Sequence, residues 1–552
     1  MRTHWGHGPS ACLVALLAAC SGPDAGGTTA PEDLASLTVN PASVELQAGG
    51  SGTLVATGYD HTGASVPGVS VTWRSGNESV ATVTGGGRVT AVGVGTTTIT
   101  AAAGAVEGTG AILGHPAAPT GQVIQLSPAV RMQRMTGWEG VAQIGQIECN
   151  QTAFNKYRDA VVDAAVNDLG INRLRLEVRS GLEHSVDWFA QYVSQQVSTP
   201  EFRSHWYDIV NDNADPFSAN PSGFKWSALD HTVDRVVTPF RQRMAARGEQ
   251  LYVNLTYVDF KATPFEHSTN AEEYAEFMVA AFQHLQSRYG WVPDAVEIIL
   301  EPDNTGNWRP DRIGAAIVAT GDRLAAAGFR PAFIAPSNTS MTSALQYFDD
   351  LIEVPRVREY LTDLAYHRYS GVNASVLQQI GTRATTHGIR TGMLEHIGSE
   401  YRFLHDDIEI GRASSWEQFA VAFCVTTDNG AQHYMVDESN PANPTFTLGH
   451  RSRYLRQYFR HVRLDAVRIG AASGDARFNP LAFENTDGRV VVVVKATAAG
   501  SFAVRGLPAG TYGLYYTTSG QTDVRPPDVT VVAGGELSAS IPAAGVITIH
   551  KR

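Results

Sequence analysis

The sequence predicts a multidomain protein in which a small N-terminal β-sandwich precedes a central (β/α)8 TIM barrel and a C-terminal all-β domain. Three observations lead there. At 552 residues the chain exceeds one compact core, since domains usually run about 100 to 200 residues and barrels about 250. From Leu37 to about residue 113, short alternating runs are separated by Gly, Asn and Pro, the texture of a sandwich. From about residue 125 to 464, apolar strand-like runs alternate with long amphipathic stretches, as in a parallel sheet covered by helices.

The N-terminus reads as a targeting segment. Arg2 precedes an apolar run over 11–19 that is too short to span a bilayer as a permanent helix. The run closes Leu17-Ala18-Ala19-Cys20, which resembles the lipobox of bacterial lipoproteins. That resemblance implies a signal peptide over 1–20 and lipidation of Cys20. A tether over 21–34, rich in small residues, Gly and Pro, follows. The expected location is the cell envelope, at the outer membrane or cell surface, with the lipid anchor as the sole membrane contact. The segments "LTVNPASVELQAGG", "VSVTWRSGNESVATV" and "GRVTAVGVGTTTITA" then resemble the bacterial immunoglobulin-like domain, group 2, over 35–114. The resemblance implies a spacer or adhesion module. The linker "GHPAAPTGQ" ends it.

Barrel strands are expected at 133–138, 171–178, 251–257, 295–301, 332–336, 363–369, 392–396 and 432–436. Helices are expected at 157–169, 229–246, 271–289, 312–327 and 416–429, where apolar residues fall near helical spacing. The stretch 179–226 is the largest insertion and carries Trp188 and Trp206. The barrel domain spans 125–464, and β-texture returns over 465–552 in "PLAFENTDGRVVVVVKA" and "GVITIHKR". Cys149 and Cys424 form either a disulfide or two buried thiols, and neither has metal-ligand spacing. A net charge of −12 without a Lys/Arg run argues against a nucleic-acid partner.

In a (β/α)8 barrel the chemistry lies at the C-terminal ends of the strands. Two carboxylates close strand-like runs there: Glu301 before Pro302 in "AVEIILEPDNTGNW", and Glu395 in "RTGMLEHIGSEY". A pair of carboxylates facing one bowl is what glycosidic bond cleavage requires, one to protonate the leaving oxygen and one to attack or stabilise the sugar cation. Solvated loop acids are the plainer explanation of either residue alone.

The order "RMTGWEG", "LRLEV", "EIILEP", "LAYHRYS", "MLEHIGSEY" and "FNPLAFENTDGRVVVVVKA" resembles glycoside hydrolase clan A, and within it family 30, over residues 125–552. The resemblance implies a retaining enzyme without cofactor or metal that acts on a polysaccharide or glycoconjugate, with Glu301 as acid/base and Glu395 as nucleophile. It also implies that Arg175 holds the nucleophile charged and that His367 and Tyr369 stand beside it. A salt bridge at the barrel mouth and a buried aromatic pair are the plain structural readings of these groups. Trp138, Trp308 and Tyr257 either stack on sugar faces or belong to the core. Clan A places Asn immediately before the acid/base, whereas this chain has Leu300, with Asn304 and Asn307 as nearby amides. A carbohydrate-binding surface lipoprotein without catalysis is the alternative that Leu300 supports. Metal-assisted hydrolysis through His396, His405, Asp406 and Asp407 is a third reading, without recognisable ligand spacing. A monomer is expected.

Mass spectrometry of the mature protein is expected to find Cys20 as an acylated N-terminal residue. An unmodified N-terminus beyond residue 20 would remove the anchor from this reading.

Overall fold

The computed structural model describes residues 34–552. The signal peptide, Cys20 and nearly all of the tether lie outside the described residues. No described helix is long and apolar enough to cross a membrane.

Residues 36–115 form the β-sandwich. Ser43–Gln47, Val106–His115, Gly95–Ala103 and Thr72–Ser75 make one sheet. Ser36–Asn40, Val55–Tyr59 and Ser65–Val66 make a second, and Ser51–Thr53, Arg88–Ala91 and Ala81–Val83 a third. Alternation places Val39, Leu54, Val89, Ile99 and Ile112 inside, with Trp73 packed against them.

The barrel consists of β1 (Gly137–Val141), β2 (Arg173–Arg179), β3 (Tyr252–Val258), β4 (Ala295–Glu297), β5 (Ala332–Ser340), β6 (Leu361–Ser370), β7 (Arg390–Glu395) and β8 (Ala413–Phe423). Each pairs in parallel with the next, and β8 returns to β1 through Gly137↔Ser415 and Trp138↔Trp416, so the ring is closed. The sequence shows how one strand serves two environments. In "RLRLEVR" of β2, Leu174, Leu176 and Val178 pack in the apolar core, while Arg173 and Arg175 alternate with them and meet Glu139, Glu395 and Glu417. The helix Ala271–Tyr289 begins with Glu272 and Glu273 in its first turn and ends at Gly290 in a left-handed cap, both of which suit the helix dipole and its unpaired carbonyls.

The structure corrects three expectations. First, 416–429 is not a helix: the mostly apolar run at its start belongs to the eighth barrel strand, buried nearly throughout. Such a run has no period that separates a buried strand from a buried helix. Gln432–Asp437, expected as the eighth strand, lies outside the ring, parallel to the end of β8 and antiparallel to Thr445–Leu448. Second, the first barrel strand is not 133–138. The chain leaves one sheet at Arg134 and enters the barrel at Gly137, whose φ of +119° and close approach to Arg173 admit only glycine.

Third, the C-terminal domain is not confined to 465–552. Val123–Arg134 inserts into its nine-stranded sheet between Val467–Ser473 and Gly500–Arg505. The barrel is therefore spliced into the domain it precedes. The valine run Val490–Ala496 explains the tight junction. Val491 and Val493 join the barrel's core, while Val490, Val492 and Val494 fill the sheet's own, so both faces of that strand are apolar.

Cys149, after β1, and Cys424, after β8, are joined in a disulfide across 275 residues of sequence. It clamps the mouth where the ring closes. A loop of that length corresponds to about 5 kcal/mol in the chain-entropy picture.

A chain starting at residue 118 is expected to fold, because it keeps Val123–Arg134. One starting at residue 136 loses buried Ile124 and Leu126 and the bridge between two strands. It should melt about 10 °C lower or fail to fold. Equal melting temperatures for the two truncations would refute this splice.

Candidate active site

Glu395 ends β7 and is almost fully buried. A buried carboxylate needs donors, and it has them. Arg175 Nη2 donates to Oε2 at 2.6 Å and the Tyr369 hydroxyl to Oε1 at 2.8 Å. Burial alone would raise the carboxyl's pKa, but Arg175, His367 and Tyr369 together hold it below the usual carboxylate range. Tyr369 itself stays a phenol, since burial and the neighbouring Glu395 push its pKa up.

Arg175 has no exposed surface. Its other nitrogen, Nη1, lies 3.4 Å from Glu417 on β8 and donates to the carbonyl of Leu394 at 3.3 Å. Burial, partly offset by Arg175, pushes the Glu417 carboxyl well above the usual range. Glu139, paired in register with Glu417, is also raised by burial despite its 2.7 Å contact with Arg173. Glu297 on β4 completes the buried set, accepting from Asn254 at 2.8 Å, Thr256 at 2.9 Å and Ser337 at 2.6 Å. These floor residues went unrecognised in the sequence. Their signal was present: a charged residue inside an apolar strand run, as in "GWEG" and "SWEQ".

Glu301 follows β4 with φ +50° and ψ +60°. A left-handed non-glycine residue costs about 1 kcal/mol or more. Its N–H donates to the carbonyl of Ser337, itself at φ +60°. Pro302 then starts a short 3-10 turn. The side chain of Asn304, in that turn, donates to Glu301 Oε2 at 2.5 Å, and His367 Nδ1 lies 3.0 Å from Oε1. One oxygen of Glu301, one of Glu395 and a ring nitrogen of His367 lie within 4.8 Å of one another. Two carboxyls thus face each other at a distance that one anomeric centre spans.

The structure therefore brings together Glu301, Glu395, Arg175, His367, Tyr369 and Asn304. It does not bring in the other three. Trp138, Trp308 and Tyr257 are core residues, at 1% exposure or less, so stacking on a sugar face is corrected. Each has its polar edge satisfied internally, as buried rings of this kind require. Trp138 Nε1 donates to the carbonyl of Val462 at 2.6 Å, Trp308 Nε1 to Asp259 at 3.3 Å, and the Tyr257 hydroxyl meets His267 Nδ1 at 2.7 Å. Leu300 is buried, and Asn307 is occupied with Glu266 at 3.1 Å.

The residues of the metal-assisted reading do not converge. His396 meets Ser399, His405 meets Tyr458, Asp406 meets Lys495, and Asp407 is held by Tyr366, Arg368 and Trp416. A cavity of 510 Å³, lined by Arg175 but by neither carboxylate, is walled by Arg179, Trp188, Trp206 and Phe419. The 179–226 insertion supplies the largest single share of that wall. It is braced by Trp188 stacked on His205 at 3.8 Å and by Arg179 lying 4.2 Å over Trp206.

Comparison with known proteins agrees with this architecture. Residues 33–112 match the family model of the bacterial Ig-like domain (group 2). The N-terminal sandwich is that domain. No curated protein matches the chain by sequence. Among solved structures, the catalytic domain of GH30 xylanase C from Talaromyces cellulolyticus superposes with a TM-score of 0.55 at 14% identity, over 78% of this chain and 100% of that one. A conserved exported protein from Bacteroides fragilis gives 0.58 at 12%, over 78% and 100%. The endo-β1,6-glucanase BT3312 gives 0.54 at 16%, over 78% and 94%. At such identities the likeness shows the fold: the barrel together with its C-terminal β-domain.

Tyr369→Phe removes one donor to an ionised carboxylate, a loss of about 1.5 kcal/mol or about one pKa unit. The Glu395 titration is expected to move upward by that amount, seen in ¹³C-glutamate spectra by difference against Glu395→Gln. Its stabilising effect, present above the ordinary carboxylate pKa and lost as pH falls through the depressed one, shrinks accordingly. An unmoved titration would show that the hydroxyl is no donor to Glu395.

Proposed function

We propose that the barrel is a glycoside hydrolase of clan A type that cleaves a glycosidic bond in a polysaccharide or glycoconjugate by double displacement with retention. The observation that carries this reading is the pair Glu301 and Glu395, with oxygens within 4.8 Å and unequal surroundings. Retaining enzymes hold their carboxyls about 5 to 5.5 Å apart, whereas inverting ones need roughly 6.5 to 9.5 Å to admit a water.

The division of labour follows from the partners. Glu395, kept ionised by Arg175 and Tyr369, attacks the anomeric carbon as the bond to the leaving oxygen breaks. Glu301, which meets no guanidinium and contacts His367 and Asn304, delivers its proton to that oxygen. Glu301 then takes a proton from water, which displaces Glu395 from the same face. The neighbours whose titles name a GH30 xylanase and a β1,6-glucanase support glycosidic bonds as the substrate class. They differ in sugar and linkage, which here fall to the loops around the 510 Å³ cavity.

Leu300 favours a second reading, a cleft that binds carbohydrate without cleaving it, because the amide that clan A presents to the sugar 2-hydroxyl is missing. Against it stands the two-donor cradle of Glu395, which binding alone does not require. Attachment through Cys20, with the tether and Ig-like domain as a spacer, completes the proposal: a monomeric envelope lipoprotein without a nucleic-acid partner.

Glu395→Ala should abolish turnover of aryl glycosides and, with added azide, yield a glycosyl azide of inverted configuration. Glu301→Ala should slow substrates with poor leaving groups by about 10²- to 10⁴-fold, spare good ones in the first step, and give a retained azide. An inverted first-formed product from the wild type overturns the retaining assignment, and full activity in Glu395→Ala overturns the nucleophile. Glycan binding without turnover on a broad panel would select the second reading.

A further inference from the structure

The insertion between β2 and β3 folds its segment "NDNADPFSANPSG" against the helix Ala271–Tyr289. There Glu273 and Glu276 stand three residues apart on one helix face and meet Asp212 from the insertion. Carboxylate oxygens of all three lie within 4.8 Å of one another. This cluster lies apart from the catalytic dyad and has no part in the proposed hydrolysis.

Its hydrogen bonding is one-sided. Asp212 Oδ1, Glu273 Oε2, Glu276 Oε1 and Asn211 Oδ1 are each shielded from solvent and have no donor. Glu276 is 2% exposed and Glu273 8%. Donors that approach serve the other oxygens. Asn211 Nδ2 reaches Glu273 Oε1 at 3.2 Å, while Asn213 and the Asn220 N–H take Asp212 Oδ2. Arg323 is the nearest cation, yet its Nη1 is spent on the carbonyls of Pro216 and Glu272, and it makes no ion pair with these acids. Four buried acceptors without a donor are costly. A shell made only of oxygen acceptors is instead the inner surface of a hard-cation site.

We infer that Asp212, Glu273 and Glu276, with the side-chain carbonyl of Asn211, form a Ca²⁺ site that pins the insertion to the barrel. Ligand chemistry selects this ion. The shell has no sulfur or imidazole to favour zinc or copper. A buried shell of protein oxygens suits Ca²⁺, whereas Mg²⁺ dehydrates reluctantly and usually keeps several waters. A hydrogen-bonded chain runs from the site to the end of β3. The Asp212 N–H donates to Glu183 at 3.0 Å, Glu183 meets His267 at 2.8 Å, and His267 meets Tyr257 at the end of β3 at 2.7 Å.

The competing arrangement is a proton shared among the acids. Burial, then the charges of Asp212 and Glu273, push the Glu276 carboxyl up to about 8, with Arg323 opposing. Burial also raises Glu273, with Glu183 as a further nearby charge. A carboxyl whose pKa is raised on folding destabilises the ion-free protein as pH climbs from the ordinary carboxylate value toward the raised one.

The test uses the full mature chain, stripped with EDTA and titrated with CaCl₂ at pH 8 by calorimetry and thermal melting. One site is expected, with a melting temperature raised by about 3 °C at tenfold excess over Kd. Glu276→Gln should weaken Ca²⁺ at least tenfold while melting no lower than wild type without calcium, because it removes a buried like charge. Asp212→Asn should also weaken binding and serves if the first variant fails to fold. Absence of heat and of any melting shift in wild type at pH 8 overturns the site and leaves the shared proton. Unchanged Ca²⁺ affinity in both variants overturns it by placing the ion elsewhere. Equal response to MgCl₂ overturns the choice of ion.

Discussion

The guanidinium of Arg175 is the constraint on which the rest of the site depends. It has no exposed surface and lies between Glu395 at the end of β7 and Glu417 on β8. A buried charge with its partner removed typically costs 3 to 5 kcal/mol, about 4 as a working figure, so the two strands that carry its partners cannot drift apart without penalty. The same contact ionises Glu395. Glu301 is the same side chain on the same rim, but an imidazole and an amide are its neighbours. Identical carboxyls are thereby given different partners, a guanidinium and a phenol for Glu395, an imidazole and an amide for Glu301.

Rigidity around this contact comes from several directions. The closed ring leaves no strand edge free, the disulfide ties the loop after β1 to the end of β8, and the C-terminal sheet packs Val491 and Val493 into the barrel's core. Against that support the chain sustains left-handed backbone at Glu301 and Ser337. Strained positions persist where surrounding structure over-determines them, and here the strain aims Glu301 back across the mouth toward Glu395. The 179–226 insertion is the contrasting element. It is built from short helices and turns, and its wall holds by aromatic stacking and by its contact with the helix Ala271–Tyr289.

Much of the site was legible in the sequence because strand termini announce themselves. An apolar run that stops at Glu before Pro, as at Glu301, or at Glu-His, as at Glu395, places a carboxylate at a rim whatever the rest of the fold. Arg175, His367 and Tyr369 were legible through the resemblance of "LRLEV" and "YHRY" to known motifs. The eighth strand was not, because 416–423 is buried on both faces and its apolar residues do not alternate as those of a half-exposed strand would. The aromatic residues were not, because exposure is a property of neighbours: Trp138 lies against Phe459, more than three hundred residues further along the chain. Glu417 was legible only as a charge inside an apolar run, since nothing near it in sequence reveals that Arg175 stands beside it.

The sequence by itself determined what depends on local pattern: the small sandwich, the alternation of strands and helices, the β-rich end, and the place of two carboxylates at the ends of strand-like runs. These follow from periodicity, turn residues and motif, which act over a few residues at a time. Tertiary structure alone decided where the ring closes, that Val123–Arg134 belongs to the last domain, that Cys149 and Cys424 bond, and which rings and acids are buried. Each of these depends on contacts between segments far apart in the chain, and their energies come from burial and pairing that no local window contains.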